Sequence, residues 1–158
     1  MVRGARWISL IALVLSISWP CWAKDNVRVM VLPFEINAKE DLAYLEKEIP
    51  KIISRNLVAE GAIMVESPVA VVLKDLEAIH TMGVDNAADY VIWGSFTLIG
   101  QQFSLDVRLL EPFGEADIKS LGVQGQGLAT LSAKIGDLSQ ACQHMMTTGG
   151  KSSYALTH

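Results

Sequence analysis

The sequence holds few of the residues that bind metals or that pair a nucleophile with a base. Two cysteines and three histidines occur in 158 residues. There is no C-x-x-C pair and no pair of histidines at ligand spacing, so the pattern predicts no metal site. His144 lies two positions from Cys142, and side chains two positions apart point to different sides of a helix. We therefore expect no metal, no cofactor and no catalytic triad built on these residues.

Basic residues are also scarce, which bears on nucleic-acid binding. The chain has 13 basic and 17 acidic residues, whereas a protein that binds phosphate backbones needs a basic surface. The segment Gly150-Lys151-Ser152 matches the end of a phosphate-binding loop, but Met145 stands where that loop has its first glycine. We therefore expect neither nucleic acid nor nucleotide as a ligand.

The amino-terminal apolar run is too short to cross a bilayer. It extends over 7–17, about 11 residues, against the roughly 20 that a spanning helix needs. Two arginines precede it and a short polar segment follows, which predicts a secretory signal peptide over 1–23 cleaved between Ala23 and Lys24. We expect export to the periplasm, no stable membrane insertion after cleavage, and the outer membrane as a candidate site of association. A retained membrane anchor and a lipid-modified Cys21 are the alternatives.

Cleavage at this point changes the charge and the cysteine content of the mature chain. The leader holds two of the 13 basic residues and none of the 17 acidic ones, which leaves a formal charge of −6. It also holds Cys21, so Cys142 stays alone and no internal disulfide is expected. About 135 residues remain, enough for one domain with an ordinary apolar core.

Hydrophobic patterning predicts that this domain extends over 24–146 and begins with a strand and a helix. The nearly continuous apolar run 27–34, ended by Pro33, is typical of a strand that is buried on both faces. A helical stripe of apolar residues follows over 42–57 and ends near Gly61. Pro50 lies within it and cannot donate to the carbonyl four residues earlier, so we expect a kink or a break there.

A second strand and helix are expected next. The strand covers 62–66, and Ser67 and Pro68 have the residue types of a helix cap and first turn. The apolar stripe of this second helix ends near Gly83, which fits a helix terminus.

The rest of the chain predicts three strands and a final helix. The strands cover 88–96, 103–110 and 116–126; the second alternates cleanly, and the third is rich in glycine and expected at an edge. A helix over 128–145 and a disordered tail over 147–158 complete the chain. The order β-α-β-α-β-β-β-α implies a single α/β domain, a mixed sheet of about five strands with helices packed on it.

The stretch ADYVIWGSF, residues 88–96, allows two interpretations. Ser95 follows a glycine, and Asp89 or Asp106 could be its acidic partner in a serine hydrolase or a small-ligand site. The second glycine of a nucleophile elbow is missing, however, and the flanks show no switch from strand to helix. A glycine inside a strand more often marks a close approach of neighbouring elements. Packing is therefore the preferred interpretation of Gly94 and Ser95.

Two segments of the sequence resemble the amino-terminal domain of TolB and its relatives. They begin with VRVMVLPFEINAKEDL and with GVDNAADYVIWGSFTLIG, and the likeness extends over 27–126. The family is similar to the periplasmic core of CsgG-type assembly proteins and to exported modules that precede FG-GAP or VCBS repeats. The positions that match the family motif, and that the resemblance implies to be structural, are Pro33, Phe34, Asp89, Tyr90, Gly94 and Ser95.

The resemblance implies a binding and assembly role in the cell envelope, with no catalytic residue and no cofactor. We therefore expect a protein that is not an enzyme and whose partners are envelope proteins. The glycine-rich strand 116–126 is the expected contact surface, because an exposed edge can accept a strand from a partner. The alternative is that the chain is the truncated amino-terminal part of a repeat protein with a propeller.

Overall fold

The computed structural model of the protein describes residues 26–148, with the exception of 69, 71, 115 and 116. The predicted signal peptide 1–23, its cleavage point between Ala23 and Lys24, and the predicted tail beyond 148 lie outside the described residues. Thr147, the first residue of the predicted tail, is the last residue of a helix.

Within the described residues the chain forms six β-strands and three α-helices. The strands are β1 (Arg28–Val31), β2 (Glu35–Asn37), β3 (Ile63–Val65), β4 (Tyr90–Ile99), β5 (Gln102–Leu110) and β6 (Lys119–Gln126). The helices are α1 (Leu45–Ala59), α2 (Leu76–Asp85) and α3 (Leu131–Thr147), the last preceded by a 3-10 turn at Leu128–Thr130.

The strands form one mixed sheet in the order β3-β1-β4-β5-β6, with β2 also paired to β4. The pairs β1–β3, β1–β4 and β2–β4 are parallel, whereas β4–β5 and β5–β6 are antiparallel. The predicted α/β fold with a mixed sheet is therefore confirmed, with one strand more than expected.

The additional strand arises because the predicted strand 27–34 is interrupted. Val31 is level with Ile92 of β4, and Glu35 is level with Ser95. The segment from Val31 to Glu35 thus advances by four residues while β4 advances by three. The segment between β1 and β2 carries one extra residue, as in a β-bulge.

The extra residue decides which face Phe34 occupies. Pro33 lies in the interruption, where its missing N–H removes one donor from the ladder. A one-residue offset moves all following side chains to the opposite face of the sheet. Phe34 therefore joins Val29 in the larger core, whereas Leu32 packs on the other face.

The first helix continues through its proline. Helix α1 begins at Leu45 and includes Pro50, so of the two expected outcomes, a kink or a break, the break does not occur. Pro50 leaves the carbonyl of Glu46 without its helical donor. The backbone N–H of Phe34 donates to that carbonyl at 3.3 Å and replaces the lost bond. The backbone of the bulge before β2 thus supplies the hydrogen-bond donor that helix α1 lacks because of Pro50.

The predicted start of the second helix is wrong. Helix α2 begins at Leu76, and its cap is Asp75, whose carboxylate accepts a hydrogen bond from the N–H of Glu77 at 3.1 Å. Ser67 and Pro68 belong to an irregular segment before it. The helix also runs past Gly83 to Asp85, and Gly83 lies close to the side chains of Pro112 and Val91.

The sheet has an apolar core on each face. The larger core lies between the sheet and the helices α1 and α3, and the smaller one lies under α2. The smaller core contains Met30, Leu32, Ile79, Ala88, Val91, Trp93 and Leu110. It includes one residue of β5, Leu110, and none of β6, so the outer face of these two strands stays largely open. Among the described residues, no helix is both long and apolar enough to cross a membrane.

Candidate interaction surface

The strands β4, β5 and β6 present one apolar face and one polar face. Alternation sends Phe103, Leu105, Val107, Leu121 and Val123 into the larger core. The opposite face of β5 and β6 carries Ser104, Asp106, Arg108, Ser120, Gly122 and Gln124, of which all but Ser104 and Gly122 are exposed. This wet face is what the alternating pattern of β5 predicts.

The last strand lies at the edge of the sheet, as predicted, and within the described residues it begins at Lys119. Its eight residues pair with β5, and β5 is its only strand neighbour within the described part of the chain. Helix α3 packs on the inner face of β6. An unpaired edge of this length displays backbone donors and acceptors to solvent. We call it the β6 edge, residues 119–126.

Two glycines of this sheet are required by packing. A Cβ on Gly94 would lie 2.8 Å from Cε1 of Phe34 and would collide with the backbone carbonyl of Asp106. A Cβ on Gly125 would collide with the ring of Phe103. That ring in turn packs on Phe96, with 5.7 Å between the centroids. The expected close approach at Gly94 is therefore made by a side chain of the same core and by the neighbouring strand.

Ser95 lines a shallow depression on the outer face of the sheet. The depression has a volume of about 200 Å³, and it is lined by Glu35, Val72, Leu73, Lys74, Trp93, Gly94, Ser95, Asp106 and Arg108. Glu35 and Lys74 form an ion pair at 2.8 Å across it. No histidine is among these residues. The structure brings Asp106 opposite Ser95, whereas Asp89 lies at the far end of β4.

Asp89 and Tyr90 form hydrogen bonds that connect the ends of strands and of helix α3. The carboxylate of Asp89 accepts a hydrogen bond from the N–H of Arg28 at 2.7 Å, and the N–H of Asp89 donates to the carbonyl of Arg28 at 2.8 Å. These bonds join the start of β1 to the start of β4. The hydroxyl of Tyr90 donates to the carbonyl of Met146 at 3.3 Å and so anchors the end of α3. Burial, followed by the charges of Glu111 and Asp89, raises the pKa of Tyr90.

The cysteine and the histidines form no reactive cluster within the described residues. Cys142 is completely buried, and burial raises the pKa of its thiol to about 12. It is therefore a neutral thiol, a poor nucleophile, at physiological pH. His80 lies in α2 and His144 in α3. No group of three or more metal-ligating side chains occurs in the described ranges.

No protein-family model and no curated protein matches the chain. Among solved structures, the C-terminal domain of LpoB from Salmonella enterica is similar, at 18% identity and a TM-score of 0.50. The match covers 64% of this chain and 83% of the LpoB domain. Lipoprotein GNA1162 from Neisseria meningitidis is 15% identical and gives a TM-score of 0.52. That match covers 77% of this chain and 97% of the lipoprotein chain.

TolB from Acinetobacter baumannii is also similar, at 13% identity and a TM-score of 0.50. The match covers 78% of this chain but only 29% of TolB. At such identities the likeness shows the fold alone. The TolB amino-terminal-like fold expected from the sequence is confirmed, and the same fold is shared with LpoB and with the meningococcal lipoprotein.

Proposed function

We propose that the protein is a non-catalytic, exported module of the cell envelope that acts in the periplasm by binding another protein. The β6 edge is the observation that carries this proposal. The fold neighbours support it, since one is described as a lipoprotein and another is TolB, whose relatives gave the resemblance in sequence. The signal-peptide pattern of residues 1–23 supports the export step.

The β6 edge suits strand addition better than the opposite edge of the sheet does. It is eight residues long, whereas the other edge, β3, has three. Main-chain hydrogen bonds supply affinity in this binding mode, and the number of bonds grows with strand length. Helix α3 lies under the inner face of β6. A strand added there would therefore extend the sheet beside an apolar core that already exists.

A serine hydrolase that uses Ser95 is the weaker alternative. The depression brings Asp106 opposite this serine, which would supply a carboxylate. A serine nucleophile needs a base within hydrogen-bond reach of its hydroxyl, most often a histidine, and the described lining of the depression contains none. The lysine present there, Lys74, is already paired with Glu35.

Photo-crosslinking in intact cells tests the proposal. A photoreactive amino acid replaces Gln124, an exposed residue of β6, and in a second variant it replaces Arg55, an exposed residue of α1. We expect a specific crosslinked protein in the envelope fraction from position 124 and none from position 55. Equal adducts from both positions, or none from either, would contradict docking at the β6 edge.

A further inference from the structure

Gly122 stands at the centre of the β6 edge, and the fold does not require a glycine there. Its φ is not in the left-handed region, which among the described glycines is occupied by Gly61, Gly100 and Gly127. A Cβ at this position would meet one neighbour within 4 Å, the Oδ1 atom of Asp106 at 3.1 Å. That atom ends a flexible, exposed side chain, so an alanine would fit after a small shift. Gly122 therefore differs from Gly94 and Gly125, where core atoms leave no room for a Cβ.

The carboxylate of Asp106 lies over the space that Gly122 leaves open. The two residues are directly opposite each other in the β5–β6 ladder, with both side-chain positions on the polar face. The hydroxyl of Ser104 donates to Oδ2 at 3.0 Å, which orients the carboxylate. Oδ1 is thus turned toward the β6 edge. Between this oxygen and the edge there is no side chain, because the intervening residue is Gly122.

We infer that the strand that docks on the β6 edge carries a lysine or arginine opposite Gly122, and that this cation pairs with Asp106. The inference rests on the proposed function, since it needs a docked strand. Side chains of directly opposite residues are about 5 Å apart at Cβ. A long basic side chain on the added strand can therefore extend over Gly122 to Oδ1, whereas a side chain at position 122 would stand in its path.

Charge also selects a basic partner over a second copy of this chain. The mature chain would carry a formal charge of −6, which favours association with basic segments. If β6 paired with the β6 of another copy, the polar-face residues available to lie opposite Gly122 would be Ser120, Gly122, Gln124 and Gln126. None of these is a cation. Pairing of β6 with itself would therefore bring no cation from the added strand to the carboxylate of Asp106.

The experiment uses a nine-residue peptide, Thr-Val-Thr-Val-Xaa-Val-Thr-Val-Thr, with lysine, glutamine or glutamate at the central position. Binding to the mature protein is measured by fluorescence anisotropy, and amide hydrogen exchange identifies the strand that becomes protected. Asp106→Asn removes the charge and keeps an acceptor for Ser104. Asp41→Asn, on the exposed segment before α1, is the control with the same change in net charge.

We expect the lysine peptide to bind about threefold to tenfold more tightly than the glutamate peptide at low salt, with glutamine between them. This preference disappears in Asp106→Asn, persists in Asp41→Asn, and weakens in Gly122→Thr. Peptides that protect β6 amides with no preference for lysine would overturn this inference alone. Failure of every peptide to protect β6, or protection of β6 by self-association, would overturn the proposed docking edge as well.

Discussion

The ring of Phe34 lies directly over Gly94, with Cε1 2.8 Å from the place that a Cβ on this glycine would take. The contact joins the two sequence segments that carry the resemblance to TolB, LPFE and WGSF. It exists because the extra residue at the β1–β2 interruption turns Phe34 toward the larger core. The glycine of the central strand is thus explained by packing, and the adjacent serine has no part in it.

Gly94→Ala should therefore destabilise the protein. The new methyl group would press on Phe34 and on the backbone of β5, and overpacking of this kind costs roughly 1–3 kcal/mol or more in the free energy of unfolding. Urea denaturation measures the loss. The matched control is Gly122→Ala on the open face of β6, where we expect a change within about 0.5 kcal/mol. Equal losses in the two variants would argue against the packing account of Gly94.

Asp89→Ala should weaken the junction between β1 and β4. The variant leaves the N–H of Arg28 without its acceptor, and a bond of this kind contributes about 1 kcal/mol to the free energy of unfolding. Asp89→Asn keeps an acceptor oxygen and should lose much less. Thermal unfolding of both variants separates the hydrogen bond from the charge. An asparagine variant as unstable as the alanine variant would assign the effect to charge.

The buried thiol of Cys142 should make the protein less stable at high pH. The unfolded chain loses the thiol proton above the usual pKa of 9, whereas the folded chain keeps it up to a pKa of about 12. The free energy of unfolding therefore falls as pH rises between these values, by up to about 1.4 kcal/mol per pH unit for this group. The raised pKa of Tyr90 adds a loss of the same sign.

Denaturation of Cys142→Ala between pH 9 and 11 isolates the contribution of the thiol. The variant loses stability at every pH because a cavity replaces the sulfur. Its stability should nevertheless decline less steeply with pH than that of the parent protein. Parallel pH profiles would show that Cys142 titrates normally, in conflict with its burial.

Ser95 should not behave as a catalytic serine. A fluorophosphonate probe reacts with serines that a neighbouring base activates, and no histidine lies among the described residues around Ser95. We expect no labelling of the mature protein under conditions that label a known serine hydrolase. Labelling that Ser95→Ala abolishes would instead support the hydrolase alternative.

Several features of the fold follow directly from residue patterns. The alternation in β5 predicts both its strand and its wet face, because one strand residue in two must enter the core. The glycines of β6 predict an edge, since residues without side chains add little to a buried sheet. The TolB-like arrangement was expected from the resemblance in sequence over 27–126, and the solved structures of similar fold confirm it.

Other features depend on contacts between distant residues. Strand β2 and the bulge before it were not predicted, because both are defined by the register against β4, which one segment alone does not show. The helix does not break at Pro50, one of the two expected outcomes, and the N–H of Phe34 replaces the lost helical bond. The predicted start of helix α2 lies too early in the sequence because Ser67-Pro68 has the residue types of a helix start. The actual cap is Asp75. The position of Asp106 over Gly122 likewise depends on cross-strand register.

Amide hydrogen exchange of the free mature protein, resolved by residue with NMR, tests the central claim that the β6 edge is open. Amides of an edge strand alternate between those that donate to the neighbouring strand and those that face solvent. Within Lys119–Gln126 we therefore expect every second amide to be protected by β5 and the others to exchange rapidly. Uniform protection of all eight residues would show that the edge is already covered and would contradict the proposed docking site.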